Sequence, residues 1–472
     1  MVGLIYSSTR KPGLAGRLIM ATAGAINILG PISLGVLNTK EAPAQVVPES
    51  LNDPSTLLAR ARDKIAGAAR RLPKCTCLET IERTWYTAPI EKTSPRIMTE
   101  APVSACAAKE FARNEGLSLD ARDRLRLGVT VAGGDEVYSW AAATRFDSRS
   151  VFQLVSTGPI STGSFGQYLV DVFENPGVRF QFTGRKDDGS GEVFEYAYQV
   201  PAEASHYYVV VGNEWKTTAS HGLFRIYAAT GDLGRLVMET DQLPSDARLC
   251  RARTTTDYQY MLIGNGAFLI PRQSQLETLS PYAGETSSVT TFSNCHEYTA
   301  ESTVRFDGQE PAGHEKMSPQ TTAPLPPGLS LTLALLSPID TSVAAAGDPV
   351  SARVTGAVHA PHSDRILVPA GAIVHGRILQ MRHQYSSSQF LVSIRLDTLE
   401  TNAGVPPLSI QLTRELQSTN ARTRGAFSQR SEEFSLPSPG SRGAGSLFVA
   451  GSRSGRYVFP AGFKSEWTTV AQ

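Results

Sequence analysis

Between residues 75 and 306, segment after segment alternates apolar and polar side chains with a period of two. DRLRLGVTVAG, EVYSWAAATRF, VRFQFTG, EVFEYAYQV, HYYVVVG, EWKTTAS, LFRIYAA, LGRLVMETD, RTTTDYQYMLI, AFLIPRQSQLETLS and SSVTTFSNCHEYTAESTVRF each alternate or cluster β-branched and aromatic residues. Gly-Gly, Asp-Asp-Gly, Gly-Asn and Gly-Asp turn signals separate many of them. A period of two sends every second side chain to one face, so this run specifies one long antiparallel sheet with one apolar face. So many strands predict a sheet that curves or half-closes. A single interruption reads as helical, residues 150–175, where Ser164 is placed to cap a helix carrying Phe165, Tyr168, Leu169, Val172 and Phe173. A second helix precedes the sheet. In PSTLLARARDKIAGAARRL, residues 54–72, Ser55 can cap, and Leu57, Leu58, Ala61, Ile65, Ala68 and Leu72 recur at helical spacing. Its other face carries Arg60, Arg62, Lys64 and Arg70. Such a face either touches anionic headgroups or is solvated over a core-packed stripe, and the alanine-rich apolar side favours the second.

After the sheet, GQEPAGHEKMSPQTTAPLPPG has no period and is rich in Pro, Gly and polar residues, which marks a linker over 308–325. Strand grammar then restarts, in LSLTLALLSPID, DPVSARVTGAV, RILVPAGAIVHGRILQM, QFLVSIRLDTLET, PLSIQL, SLFVA and RYVFPAGFKSEWTTV. Residues 413–444 lack apolar rhythm and read as a long mobile loop. The expected fold class is mainly β with few helices (α+β): a curved antiparallel half-barrel over 54–307, then a smaller β-barrel or sandwich domain over 326–472. The two modules are expected to fold separately.

The N-terminus bears on the compartment. Arg10, Lys11 and Arg17 precede a segment, residues 18–39, without a charged side chain. As a helix it reaches roughly 33 Å, enough to span a hydrocarbon core. Basic flank before and acidic flank after put residues 1–17 in the cytoplasm and export the chain beyond the 40–53 linker. Ala42-Pro43-Ala44 resembles a cleavage site, so a cleaved signal and an uncleaved anchor both fit. The bulk of the chain is then extracytoplasmic, in the periplasm or held at the inner membrane, where close cysteines tend to be oxidised.

Composition excludes some functions. Lys and Arg number 45 against 44 Asp and Glu, so no global field draws the chain to nucleic acid. TGSFG at 162–166 is not a nucleophile elbow, because Gly163 directly precedes Ser164. HEK at 314–316 lacks the second histidine of a zinc-protease helix, and His206, His221, His296, His359 and His362 show no ligand spacing. No phosphate-binding glycine loop is present, and no pair of carboxylates is singled out. No catalytic residue, metal ligand or cofactor is therefore assigned.

Several stretches carry a resemblance. CLETIER at 77–83, DRLRL at 123–127, GGDEVYSWAAATRF at 133–146, GPISTGSFG at 158–166, VPAEASHY at 200–207 and FSNCHEYTAESTVRFD at 292–307 resemble an uncharacterised bacterial envelope family. The strand-rich pattern with a first helix is similar to the lipoprotein-carrier (LolA-like) half-barrel, which implies a sheet wrapped around helices and an apolar cavity. LPPGLSLTLALLSPIDTSVAAAGDPVSARV and VPAGAIVHGRI resemble the β-barrel domain of conjugation and type IV secretion channel proteins. GPISLGVLN is similar to the last membrane span of bla-regulator-type sensor metallopeptidases, whose zinc motif this chain lacks. Together these imply a non-enzymatic cell-envelope protein. It would be tied to the membrane by its N-terminal helix, binding a lipid, a lipoprotein-like ligand or an envelope partner protein. An envelope hydrolase with an unmarked acidic or histidine site and a structural scaffold are the alternatives.

The five cysteines admit two bridges and one spare thiol. Cys75 and Cys77 are too close along an extended chain to bond comfortably with each other. Cys77 opens the family-like CLETIER stretch, so Cys77–Cys106 and Cys250–Cys295 are the expected pairs, with Cys75 free. Cys75–Cys106 is the alternative. A metal site of Cys75, Cys77 and Cys106 is disfavoured in an oxidising space. A bridge closing the 250–295 loop is worth roughly 4 kcal/mol on the chain-entropy model.

Overall fold

The computed structural model describes residues 4–6, 53–87, 116–133, 135–143, 150–155, 157–189, 191–211, 214–241, 243, 249–280, 284–298, 325–400, 407–415, 445–451 and 455–471. The candidate span 18–39 and nearly all of the 308–325 linker lie outside the described residues. Among the described residues no helix is long and apolar enough to cross a membrane.

Helix α1 is Pro54–Arg71. Its cap is Asp53 rather than Ser55: Asp53 Oδ2 accepts from Thr56 N at 2.8 Å. Pro54 suits the first helical position, where no N–H is required, and that shifts the start two residues earlier than the serine suggested. Leu57, Ala61, Ile65 and Ala68 are buried along one stripe, and burying Leu57 and Ile65 stabilises by about 1.5–3 kcal/mol each. The basic face is neither free for lipid nor simply solvated. Arg60 donates to Ala228 O at 3.2 Å and Arg62 to Phe173 O at 3.1 Å. Lys64 pairs with Asp232 at 2.6 Å, and Arg70 with Glu174 at 3.2 Å. The cations fasten the helix to the rim of the sheet while their stems cover apolar surface.

The main sheet consists of β1 (Cys75–Thr87), β2 (Ser118–Ala132), β3 (Asp135–Trp140), β4 (Arg179–Asp187), β5 (Glu192–Val200), β6 (Ala219–Tyr227), β7 (Leu233–Asp241), β8 (Arg251–Ile263), β9 (Gly266–Ser280) and β10 (Gly284–Glu297). All pairs are antiparallel, in the order β4-β5-β6-β7-β8-β9-β10-β1-β2-β3. Among the described residues β3 and β4 do not pair, so the sheet is an open half-barrel. The alternation seen in sequence is the alternation of faces: in β8, Ala252, Thr254, Thr256 and Tyr258 are buried while Arg253, Thr255 and Asp257 point the other way.

The inner face wraps α1, α2 (Val151–Leu154) and α3 (Gln167–Phe173). The α1 and α3 stripes pack on an aromatic wall of Phe194, Tyr196, Tyr198, Phe224 and Tyr258. Phe173 meets Phe224 edge-on at 4.9 Å, and Tyr196 stacks on Phe224 at 5.2 Å, geometries that add to simple burial. Ser164 does not cap α3. The helix starts later, with Gly166 at its N-cap, and the buried Ser164 instead offers its carbonyl to Tyr258 Oη at 2.9 Å. Leu4–Tyr6 pairs with the strand Tyr207–Val211.

The second module has β11 (Ser330–Leu335), β12 (Pro349–Val354), β13 (Ile373–Gln384), β14 (Gln389–Glu400), β15 (Ile410–Glu415), β16 (Ser446–Gly451) and β17 (Lys464–Thr469). They pair in the order β15-β17-β11-β12-β13-β14-β16. A bridge between Thr398 and Pro407, with Leu408 N donating to Asp397 O at 2.8 Å, brings the entry to β15 back against β14. The sheet thus curls around its own core of Leu331, Val354, Val392, Phe448 and Trp467. Residues 413–415 belong to β15, so the expected 413–444 loop begins within a strand, and its remainder from 416 lies outside the described residues.

The modules share backbone hydrogen bonds. β13 joins β2 along the edge that β3 leaves uncovered, with Arg382 opposite Asp123 and Gln384 opposite Ala121. Beside it, Arg126 N donates to Ala346 O at 2.7 Å and Ala346 N to Arg124 O at 2.8 Å. Arg126 reaches Asp348 at 2.5 Å.

Candidate functional site

Residues from several stretches, far apart in sequence, meet at the segment 157–166, which lies against β1, β3 and α3. Arg83, from CLETIER, is 1% exposed, and Asp123, from DRLRL, is 5% exposed. They form a two-pronged bond, Nε to Oδ1 at 2.8 Å and Nη2 to Oδ2 at 2.6 Å. The free prong of Arg83 donates to the Thr157 carbonyl. Gly158 comes next, with φ +79°, and a Cβ there would lie 2.6 Å from Arg83 Nη1. Only glycine lets the segment lie this close to the guanidinium.

The far end is held by Glu136, from GGDEVYSW. Gly163 N donates to its Oε2 at 2.6 Å, Phe165 N to its Oε1 at 3.0 Å, and Tyr138 Oη to its Oε2 at 2.6 Å. Burial holds the Glu136 carboxyl above the usual range, and the three donors offset that only in part. Glu79, 3% exposed on β1, sits among apolar neighbours, and burial first and Glu136 second hold its carboxyl well above that range. Ser161 Oγ lies 2.6 Å from Tyr168 Oη, and Phe165 meets Phe292 edge-on at 5.1 Å. The result is a polar clasp over an aromatic interior. Glu79 and Glu136 are the converging acids a hydrolase would need. Both oxygens of Glu136 are occupied by donors from the covering segment, and Glu79 is 3% exposed, so neither is open to solvent in this arrangement.

Two further ties close the cover. Asp171 on α3, 1% exposed, lies 2.8 Å from His206 Nδ1, and Asn175 Nδ2 donates to Ala204 O at 2.6 Å. These bind the VPAEASHY loop to α3. On the other side Arg382 of the second module stacks 4.2 Å over Trp85, the ring Arg83 also faces at 5.3 Å. The row Arg83–Asp123–Arg382 therefore runs across three adjacent strands and joins the clasp to the second module.

The histidines do not converge. His221 pairs with Asp241 at 2.7 Å, His296 Nδ1 contacts Asn294 O at 2.9 Å, and His359 and His362 lie in and beside a two-residue strand. Among the described residues no group of three or more His, Cys, Asp or Glu could hold a metal ion.

The cysteines correct the expected connectivity. Cys77 is bonded to Cys295, with Cα atoms 4.0 Å apart, and not to Cys106. Cys250 is also disulfide-bonded, so Cys250–Cys295 does not exist either. The reason is topological: β10 returns to pair with β1, and an irregularity between Ser293 and His296 sets Cys295 against Cys77. Cys106 lies outside the described residues. Cys75 is the free, buried thiol, pushed up to about 11 by burial and so inert rather than reactive.

No protein-family model matches the chain, and no curated protein does. Solved structures similar to it include a LolA-superfamily protein of Nitrosomonas europaea, at 10% identity and TM-score 0.23, covering 52% of this chain and 94% of the other. A domain assigned to outer-membrane lipoprotein sorting in Vibrio parahaemolyticus matches at 13% identity and TM-score 0.23, over 50% of this chain and 89% of the other. The Mycobacterium tuberculosis lipoprotein LppX matches at 11% identity and TM-score 0.18, over 52% and 99%. The class defined by the chain's own geometry is an open antiparallel half-barrel wrapped about helices, mainly β. The likenesses of the N-terminal segment and of the second module to known families find no counterpart among these matches.

Proposed function

We propose that the protein is a non-catalytic, exported cell-envelope protein that takes an amphipathic ligand, a lipid or a lipoprotein-like acyl group, into the half-barrel. The observation that carries this reading is the clasp. An aromatic interior is covered by a segment held through polar bonds at its two ends, to Arg83 and to Glu136, and such bonds exchange for water as the cover lifts. An apolar lining of this kind suits an acyl chain rather than a polar metabolite. The Cys77–Cys295 bridge fits an oxidising compartment, and the basic-then-apolar order of residues 10–39 fits export.

A second reading, a structural scaffold, draws on the interior itself. Tyr168, Leu169, Val172 and Phe173 of α3 fill it and are each at most 2% exposed. The two readings part on one experiment. Glu136→Gln weakens the hold on Gly163 and Phe165, so a fluorescent fatty-acid analogue is expected to enter the variant several-fold faster than wild type, as one weakened charge-assisted bond implies. Uptake by neither protein contradicts ligand binding and leaves the scaffold.

A further inference from the structure

The outer face of the half-barrel carries a groove of about 360 Å³, on the opposite side of the sheet from the aromatic interior. Its volume falls at the low end of small-ligand sites, which run to about 300–1,000 Å³. Its chemistry is unlike the apolar lining typical of such sites. Arg225, Arg235, Arg253, Gln273 and Gln275 are among the side chains that line it, with Leu223 and Val237 as the apolar floor.

The carboxylates of the groove are already served. Glu195 receives Lys186 Nζ at 2.7 Å and Arg225 Nε at 3.0 Å, and these two cations hold it below the usual carboxylate range despite its burial. Asp257 receives Arg235 Nε at 2.5 Å and Nη2 at 3.0 Å, with Arg272 at 3.5 Å. Glu277 accepts from Gln275 at 3.3 Å. One arginine is left over. Arg253 stands opposite Glu239 and Glu277 in the strand register, yet it forms no ion pair with either among the described residues, and its Nε is buried without a hydrogen-bond partner. A buried donor left unmade costs about 1–3 kcal/mol, which an incoming acceptor would recover.

We propose that this groove binds a small hydrophilic oxyanion, a phosphate group carried on a polyol, with Arg253 as its principal donor. Guanidinium forks match phosphate oxygens, and the amides of Gln273 and Gln275 and the hydroxyl of Thr255 offer partners to a hydroxylated carrier.

The group could be free or the headgroup of a phospholipid, and the test separates the two. The full chain is titrated calorimetrically with sn-glycerol 3-phosphate, with glycerol as the uncharged control, and is floated with vesicles containing phosphatidylglycerol. Arg253→Gln is compared with Arg365→Gln, which removes the same charge from an exposed site on the second module. Binding of the soluble phosphoester or of the vesicles, weakened about tenfold or more in Arg253→Gln and kept in Arg365→Gln, supports the proposal and identifies the source. Binding of neither probe, or equal binding by wild type and Arg253→Gln, overturns it.

Discussion

Glu79 is a buried carboxyl group on the inner face of β1 that forms no ion pair among the described residues. Burial and the nearby Glu136 raise its proton affinity in the folded state. A folded-state pKa above the unfolded one means that the native protein holds the proton more tightly. Stability is then greatest below the ordinary glutamate value, about 4.3, and falls as pH rises toward the folded value. Glu79→Gln removes the penalty and keeps the shape. The variant is expected to melt higher than wild type, by a margin that grows as pH rises from about 5 to about 8. A variant that melts lower than wild type at the upper end of that range would show that the ionised group is stabilising. Cys75 is another case of burial deciding chemistry: two residues from a bridged cysteine, it is the one left with a raised pKa.

At the scale of elements, β1, β2 and β13 are joined by the row Arg83–Asp123–Arg382, and magnitudes decide which charges there matter. Asp123→Ala strands the buried Arg83 and is expected to cost about 3–5 kcal/mol. The neighbouring Arg124–Glu82 pair also spans β1 and β2, at 2.6 Å, but its side chains are 24% and 47% exposed, so Glu82→Ala is expected to cost about 0–1 kcal/mol. Urea denaturation of the two variants checks the contrast, and similar midpoints would mean that the row is not a structural tie. The strands themselves were legible in sequence because each turns one face to the core, and a period of two writes that face directly. Caps were less legible. Ser55 and Ser164 are good capping types, but Pro54 and the polar bonds around Ser164 moved both helix starts. The clasp was visible only as quoted stretches without roles, since nothing local says that Arg83, Glu136 and Gly158 converge. The disulfide pairing failed for the same reason: it depends on β10 returning to β1, a non-local pairing across most of the first module.

At the scale of the whole molecule, strand grammar restarts after residue 325, and Leu331 through Trp467 pack around one another. It does not reveal that β13 continues the first sheet. Hydrogen bonds from β2 to β13 and to Ala346, with the Arg126–Asp348 pair, predict that a chain cleaved within 308–324 stays together. The two fragments should co-elute in gel filtration at physiological salt and separate only in denaturant. Fragments that elute apart after cleavage would make the junction a passive contact. Uptake of an amphipathic ligand beneath the clasp is tested most directly by native mass spectrometry of the full chain, expressed in a bacterium and purified without detergent. A population heavier than the polypeptide by the mass of a lipid or acylated species is expected, enriched when Glu136→Gln loosens the cover. A single species at the polypeptide mass, in wild type and variant alike and after incubation with lipid, would contradict it.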